Sequence, residues 1–387
     1  MGFRLASASV CALALLCVAA AGARPDAAVT GPGVVFTVFE SLPPKGACPG
    51  LYAAEERTRR IEWLGGWDAA RQDFPLYPAF TSRGTLSYGY IVDRGASDPL
   101  VDVYAGNRRV ARTHAFLPWI WSPSHEELAY GRASDDGRRL ELVVTTIGGA
   151  THVLAPSARS GFTWLPDGSA LVYERRVGTT DLITYVRRDG HGRKDIARNA
   201  AAPLVSPDGR TIAFVRTVSR PSERSRIEIW TVPSRGGPAR RLLGPISGRD
   251  VRPAGWLSDR LLLLQRGGQP DAIFNSGDTL NRLDVKTRNE RLFMKRAFAL
   301  SLSPDRKRLL VVRRHTAAGE TYYSVRTVDL AGRNARVVGV VDEEDLNIRS
   351  VPVWKPARTA LGRLGDPAPA PVRECEQRVT ALRDATS

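Results

Sequence analysis

Apolar residues along this chain come in short runs broken by tight polar turns, and the pattern repeats. The clearest copies are Trp119-Ile-Trp-Ser-Pro123 with Leu128-Ala-Tyr130, Phe162-Thr-Trp-Leu-Pro-Asp-Gly168 with Leu171-Val-Tyr173, and Pro203-Leu-Val-Ser-Pro-Asp-Gly209 with Ile212-Ala-Phe214. Each reads as a short strand, a tight corner and a second short strand. Weaker copies begin at Ala79, Gly255 and Leu300, and Val353-Trp-Lys-Pro356 is a first half with no second half after it.

The corner falls at positions 83, 123, 166, 207, 258, 304 and 356, a spacing of roughly 40 to 50 residues that suits a four-stranded propeller blade. A second hairpin follows most corners, with turns at Gly106-Asn107, Gly148-Gly149, Asp189-Gly190, Gly236-Gly237 and Ala331-Gly332. Hairpin turns demand positive φ, which glycine adopts without steric cost. Two hairpins per unit make four antiparallel strands. Such a sheet has two apolar faces and open edges, and radial packing against like neighbours covers them. The expected fold is therefore an all-β propeller of four-stranded blades.

The chain ends complete the count. Gly33 to Phe39, Leu51 to Ala54 and Arg60 to Trp63 read as three strands that can join the orphan strand at Val351 to Trp354 in one composite blade. That arrangement gives seven blades closed by both ends of the chain. The alternative is six blades with the N-terminal strands as a separate cap. The tryptophans Trp121, Trp164, Trp256 and Trp354 stand at equivalent places and are expected to fill blade interfaces.

These Trp-Ser-Pro-Asp-Gly units, with the Ile-Ala-Phe pattern behind them, resemble the propeller repeats of the TolB family and of related exported proteins. Similar repeats occur in the propeller halves of prolyl-oligopeptidase-type enzymes. The resemblance covers residues 33–356 and implies fold more than function. No αβ domain is expected before the propeller, because only about ten residues separate the expected export cleavage site from Val34.

That site follows from residues 1–23. Arg4, an apolar run from Val10 to Ala20 and the small residues Ala21-Gly22-Ala23 form a secretory signal. A retained anchor and a lipid anchor at Cys17 are the alternatives, although Leu16 stands where a lipobox wants a small residue. Residues 24–32 are a short linker, 33–356 the propeller and 357–387 a C-terminal extension. In the extension Val372, Cys375, Val379 and Leu382 recur at helical spacing, so a short docked helix is expected over 371–384. The expected location is the periplasm, the cell envelope or outside the cell, with no integral membrane segment after signal cleavage. Processing leaves Cys48 and Cys375, which an oxidising compartment can join. The composite blade brings their neighbourhoods together, so a disulfide is expected; two unrelated buried thiols or cross-chain pairing are the alternatives.

The chain has 56 Lys and Arg against 40 Asp and Glu, a net charge of +16, with arginine doublets spread along its length. Dispersed positive charge suits attraction to anionic surfaces or polymers better than one recognition helix. Nucleic acid is not expected as a partner, since no recognition module accompanies the charge. No Gly-x-Ser-x-Gly nucleophile elbow, phosphate-cradling loop, His-x-x-x-His or Cys-x-x-Cys spacing occurs, and no cofactor is expected. The acidic run Asp342-Glu-Glu-Asp345 reads as a solvated loop, with calcium as the alternative.

Two function classes follow. The first is a non-enzymatic binding or scaffolding propeller for a protein or an anionic envelope polymer, or an accessory subunit of a separate enzyme. The second is a propeller enzyme, a lyase or glycan hydrolase, with an acid and a base from different blades meeting in the channel. Extra length within the longer units falls at Thr217 to Arg226, Gly267 to Thr279 and Gly339 to Ser350. Insertions in repeat folds map to loops that often bind, so Arg220, Arg224, Arg226, Gln269, Asp271 and Asn275 are candidate recognition residues.

Overall fold

The computed structural model describes residues 32–38, 50–58, 60–65, 76–92, 99–114, 118–134, 139–159, 161–218, 226–247, 251–267, 279–317, 320–341 and 352–356, and isolated positions beyond. It contains seven antiparallel four-stranded sheets. Blade 1 is the composite one, in the order β28 (Val353–Lys355), β1 (Gly33–Val38), β2 (Gly50–Glu55), β3 (Ile61–Gly65). Its register pairs Val34 with Trp354 on one side and with Ala54 on the other. The N-terminal strands are thus part of the ring, and the six-bladed alternative is excluded.

The other blades follow in chain order. Blade 2 holds β4 (Leu76–Phe80), β5 (Leu86–Ile91), β6 (Leu100–Ala105) and β7 (Arg108–His114). Blade 3 holds β8 (Trp119–Trp121), β9 (Glu127–Ala133), β10 (Leu140–Thr146) and β11 (Thr151–Ala158). Blade 4 holds β12 (Phe162–Trp164), β13 (Ala170–Val177), β14 (Thr180–Arg187) and β15 (Lys194–Arg198). Blade 5 holds β16 (Ala201–Val205), β17 (Thr211–Thr217), β18 (Arg226–Pro233) and β19 (Arg240–Ser247). Blade 6 holds β20 (Val251–Trp256), β21 (Leu261–Arg266), β22 (Thr279–Asp284) and β23 (Glu290–Lys295). Blade 7 holds β24 (Ala297–Leu302), β25 (Arg308–Ala317), β26 (Glu320–Asp329) and β27 (Arg336–Val341).

Alternation along each strand sends successive side chains to opposite faces. In β13, Leu171 and Tyr173 pack toward blade 3 while Val172 packs toward blade 5. The core is accordingly seven clusters, one in each seam between blades. At the closing seam the blades approach so closely that a Cβ on Gly339 would stand 2.6 Å from the Phe36 ring.

Antiparallel order gives the ring two unlike faces. The corner joining first to second strand and the turn joining third to fourth share one face, here the turn face. The connections joining second to third strand, and each blade to the next, share the other, the link face. The expected turn glycines behave as their chemistry requires: Gly106, Gly149, Gly190, Gly236 and Gly332 all have positive φ. Blade 6 closes its second hairpin differently, with Arg288 at φ +62 and the Asp284 carboxylate accepting from the amides of Lys286 and Thr287.

Beyond blade 1 the chain turns back through the seam with blade 2. Thr359 donates to the carbonyl of Gly84 on the turn face, Leu361 is buried between the two blades, and the Leu364 amide bonds to the Leu64 carbonyl near the link face. Further on, Gln377, Val379, Thr380, Ala381, Arg383 and Asp384 have helical backbone, and Val379 is fully buried against blades 7 and 1. Among the described residues no helix is long and apolar enough to cross a membrane. The signal segment, Cys48, Cys375 and 342–345 lie outside the described residues.

Candidate functional site

The first strands β12, β16, β20, β24, β28, β4 and β8 neighbour one another in that order and line the channel. Their sequences contain no His, Cys, Asp or Glu, and Arg252 and Lys355 are their charged residues. The histidines stand elsewhere. His191 is an exposed turn residue whose amide bonds to Asp189, and the His152 ring contacts the carbonyl of Arg188. His315 lies on β25, its Nε2 2.7 Å from the Ser324 hydroxyl and its ring stacked on Tyr322. Burial, with the neighbouring charges of Arg326 and Arg313, pushes its pKa down to about 4, so the ring is neutral at neutral pH. Among the described residues no group of three or more His, Cys, Asp or Glu is placed to hold a metal ion.

Carboxylates on the blades are largely consumed by local arginines. Asp102 receives two bonds from Arg112, at 2.6 and 2.8 Å, and one from Arg109 at 3.3 Å. Burial raises its pKa, but these bonds and charges outweigh it and hold the carboxyl below its ordinary value. Comparable pairs join Arg132 to Glu141, Arg175 to Asp195, Arg241 to Glu228, Arg266 to Glu290, and Arg308 to Glu56 across the closing seam. Where the arginine stays in contact with water, as in most of these pairs, the pair adds little stability. Their consequence is electrostatic: with the acids engaged, the arginine excess defines the outer field.

The turn face is laced from blade to blade. Ser82 and the Arg83 amide bond to Glu126, Ser124 to the Asp167 carbonyl, and the Asp208 amide to the Asp259 carboxylate. Arg306 reaches further, from blade 7 past blade 6 to the Pro207 carbonyl of blade 5 at 2.7 Å. It occupies the corner position where the repeat has Gly168 and Gly209, and it adopts their left-handed conformation, φ +56 against +68 and +72. A side chain there costs about 1–2 kcal/mol relative to glycine. Beneath this arm lies a cavity of about 500 Å³ between the first strands of blades 4 to 7. A second hollow, about 630 Å³, lies between the blade 4 and blade 5 corners and is edged by Arg210, Arg235, Asp167 and Asp208.

The link face differs. Val92, Val177 and Val218, at the ends of the second strands of blades 2, 4 and 5, are 47%, 50% and 40% exposed there. At blade 5 the Arg216 guanidinium lies 4.2 Å from the Trp230 ring centroid, and Glu228 accepts from both the Trp230 indole and Arg241. Of the recognition residues expected from sequence, Arg226 is exposed on this face and donates to the Pro245 carbonyl at 3.2 Å. Arg220, Arg224, Gln269, Asp271 and Asn275 lie outside the described residues. Sequence reasoning passed over Arg306, although the signal was present: an arginine stands where the repeat puts glycine.

Fold and channel together define a seven-bladed β-propeller whose first strands are chiefly apolar, with the Arg306 side chain joining the blade 7 and blade 5 corners at one mouth. No family model matches the chain, and no curated protein matches it. Several solved structures are similar to it at low identity. TolB from Acinetobacter baumannii aligns over 73% of this chain and 66% of its own, at 14% identity and a TM-score of 0.42. An oligogalacturonate lyase in complex with manganese aligns over 69% and 73%, at 11% identity and 0.46. The β-propeller domain of the Trilobed protease from Pyrococcus furiosus aligns over 68% and 84%, at 11% identity and 0.47.

Proposed function

We propose that this protein is an exported, non-enzymatic propeller whose link face binds a protein or an anionic cell-envelope polymer. One observation carries the reading. The strand ends joined by 219–225 and by 268–278 belong to blades 5 and 6, those joined by the link from β27 to β28 to blades 7 and 1, and all lie on the link face, with Val177 and Val218 exposed there. Three sequence insertions from consecutive blades therefore serve one surface. Rigid strands with variable connections are how repeat scaffolds present recognition residues. Arg220, Arg224, Arg226, Gln269, Asp271 and Asn275 are assigned to that surface, with the arginines supplying steering and charge-assisted bonds. Among the described residues the first strands carry no His or carboxylate, which favours this reading over a channel-centred lyase or hydrolase. The leader at residues 1–23 directs the protein to the periplasm or envelope.

The test compares the mature protein with variants in which 219–225 or 268–278 is replaced by an Asn-Gly turn. Capture of native-envelope protein and retention on an anionic polysaccharide column should both be measured over a salt series. The expected result is loss of one of them in a loop variant, with polymer retention falling steeply as salt rises. Undiminished binding in both variants would overturn the assignment of the face.

A further inference from the structure

The turn-face mouth of the channel has features that neither blade packing nor the link-face reading uses. First strands of three consecutive blades are bulged where they line the cavity: β16 between Ala201 and Leu204, β20 between Pro253 and Gly255, and β24 between Ala299 and Ser301. Bulges re-aim a strand and gather beside sites. Here they accompany small residues, Ala254, Gly255, Ala299 and Ser301, in the wall. A Cβ built on Gly255 would meet nothing within 4 Å, so this glycine faces open space. The rest of the lining is chiefly Leu204, Val205, Leu300 and Leu302.

Over this apolar wall stands Arg306. Its guanidinium donates to a neutral carbonyl, and among the described residues no carboxylate forms an ion pair with it. Neighbouring Asp305 is engaged instead by the Ser303 hydroxyl and the Lys307 amide. A strained corner that carries a long cation, where the sibling corners Gly168 and Gly209 carry none, points to use of the side chain and not of the turn. Pockets of this make, apolar with one well-placed polar group, orient a ligand by that group.

We propose that this mouth binds a small amphiphilic monoanion, with its apolar body in the cavity between blades 4 and 7 and its carboxylate on the Arg306 guanidinium. The carboxylate takes the donors that the Pro207 carbonyl leaves unused, in a charge-assisted bond. A cationic head meets like charge at the lip, and a neutral head forgoes the pairing.

Calorimetric titration of the full chain with octanoate, 1-octanol and octyltrimethylammonium tests the proposal. Octanoate is expected to bind one to one, octanol at least about tenfold more weakly, and the cation not at all. Arg306→Gly restores the repeat's own corner residue and should lower octanoate to the level of octanol. Ala254→Leu and Ala299→Leu fill the cavity and should abolish both, with thermal unfolding confirming that each variant is folded. Absence of octanoate binding, equal affinity in Arg306→Gly, or binding that survives both cavity-filling changes would overturn it. The link-face loop variants should bind octanoate normally, so the two readings fail separately.

Discussion

The indole N–H of Trp354 donates to the carbonyl oxygen of Ser301 at 3.1 Å, tying the strand from the C-terminal side of the chain to blade 7. The same latch joins Trp164 to Ile120 at 3.2 Å and Trp256 to Leu204 at 3.0 Å, each tryptophan reaching to the first strand of the preceding blade. Trp121 holds the equivalent position, yet its indole nitrogen is buried with no hydrogen-bond partner among the described residues. A buried N–H bonded across a seam contributes about 1 kcal/mol, whereas an unbonded one carries only its desolvation cost. Trp354→Phe should therefore destabilise by about 1–3 kcal/mol and Trp121→Phe by clearly less. Urea unfolding of both variants decides it, and equal losses would show that the ring volume, not the bond, matters.

Arg306→Gly should leave stability unchanged or raise it by up to about 1 kcal/mol, because it removes a side chain from left-handed backbone and gives up only a surface bond. Thermal unfolding at constant pH reads the change. A marked loss would mean that the bridge to Pro207 holds blades 5 and 7 together.

His315 makes stability depend on pH. Its folded pKa, about 4, lies below the ordinary 6.5, so between these values the unfolded chain binds the extra proton. The contribution is complete above the ordinary value and is lost as pH falls from there toward about 4. The geometry agrees: the Ser324 hydroxyl that lies 2.7 Å from His315 Nε2 also accepts from Arg326 Nε at 2.8 Å, so protonating the ring would place a second positive charge beside this guanidinium. His315→Gln should lose less stability than the native protein between about pH 7 and about pH 5. Parallel profiles by chemical unfolding would place the imidazole in water.

The route of the extension bears on the expected Cys48–Cys375 disulfide. From Thr359 on the turn face the chain reaches Leu64 near the link face, where the strand ends joined by 39–49 also lie. Closing so long a loop contributes on the order of 4 kcal/mol by restricting the unfolded chain. Non-reducing digestion and mass spectrometry should find the linked peptides. Two alkylated free thiols would remove the clasp and leave blade 1 closed by strand pairing alone.

Much of this molecule is written locally. Period-two apolar runs, tight corners and the tryptophans before four of them, Trp121, Trp164, Trp256 and Trp354, encode hairpins within some fifty residues, so blade count and composite closure were legible before any coordinates. The Lys286–Asn289 hairpin escaped because its positive φ belongs to Arg288, which carries no glycine signal. Blade 1 could be inferred because a strand without a partner at one end and strands without a first member at the other are complementary deficits. What only the tertiary structure decided are relations across the ring: the bond from Arg306 to Pro207 over 99 residues, the pairing of Glu56 with Arg308, and the gathering of seven first strands, free of carboxylates among the described residues, round one channel. Hydrogen-bonded strands and turns are specified by neighbours in sequence. Which corners and connections meet depends on the angle between successive blades, and that angle arises only when every seam packs at once.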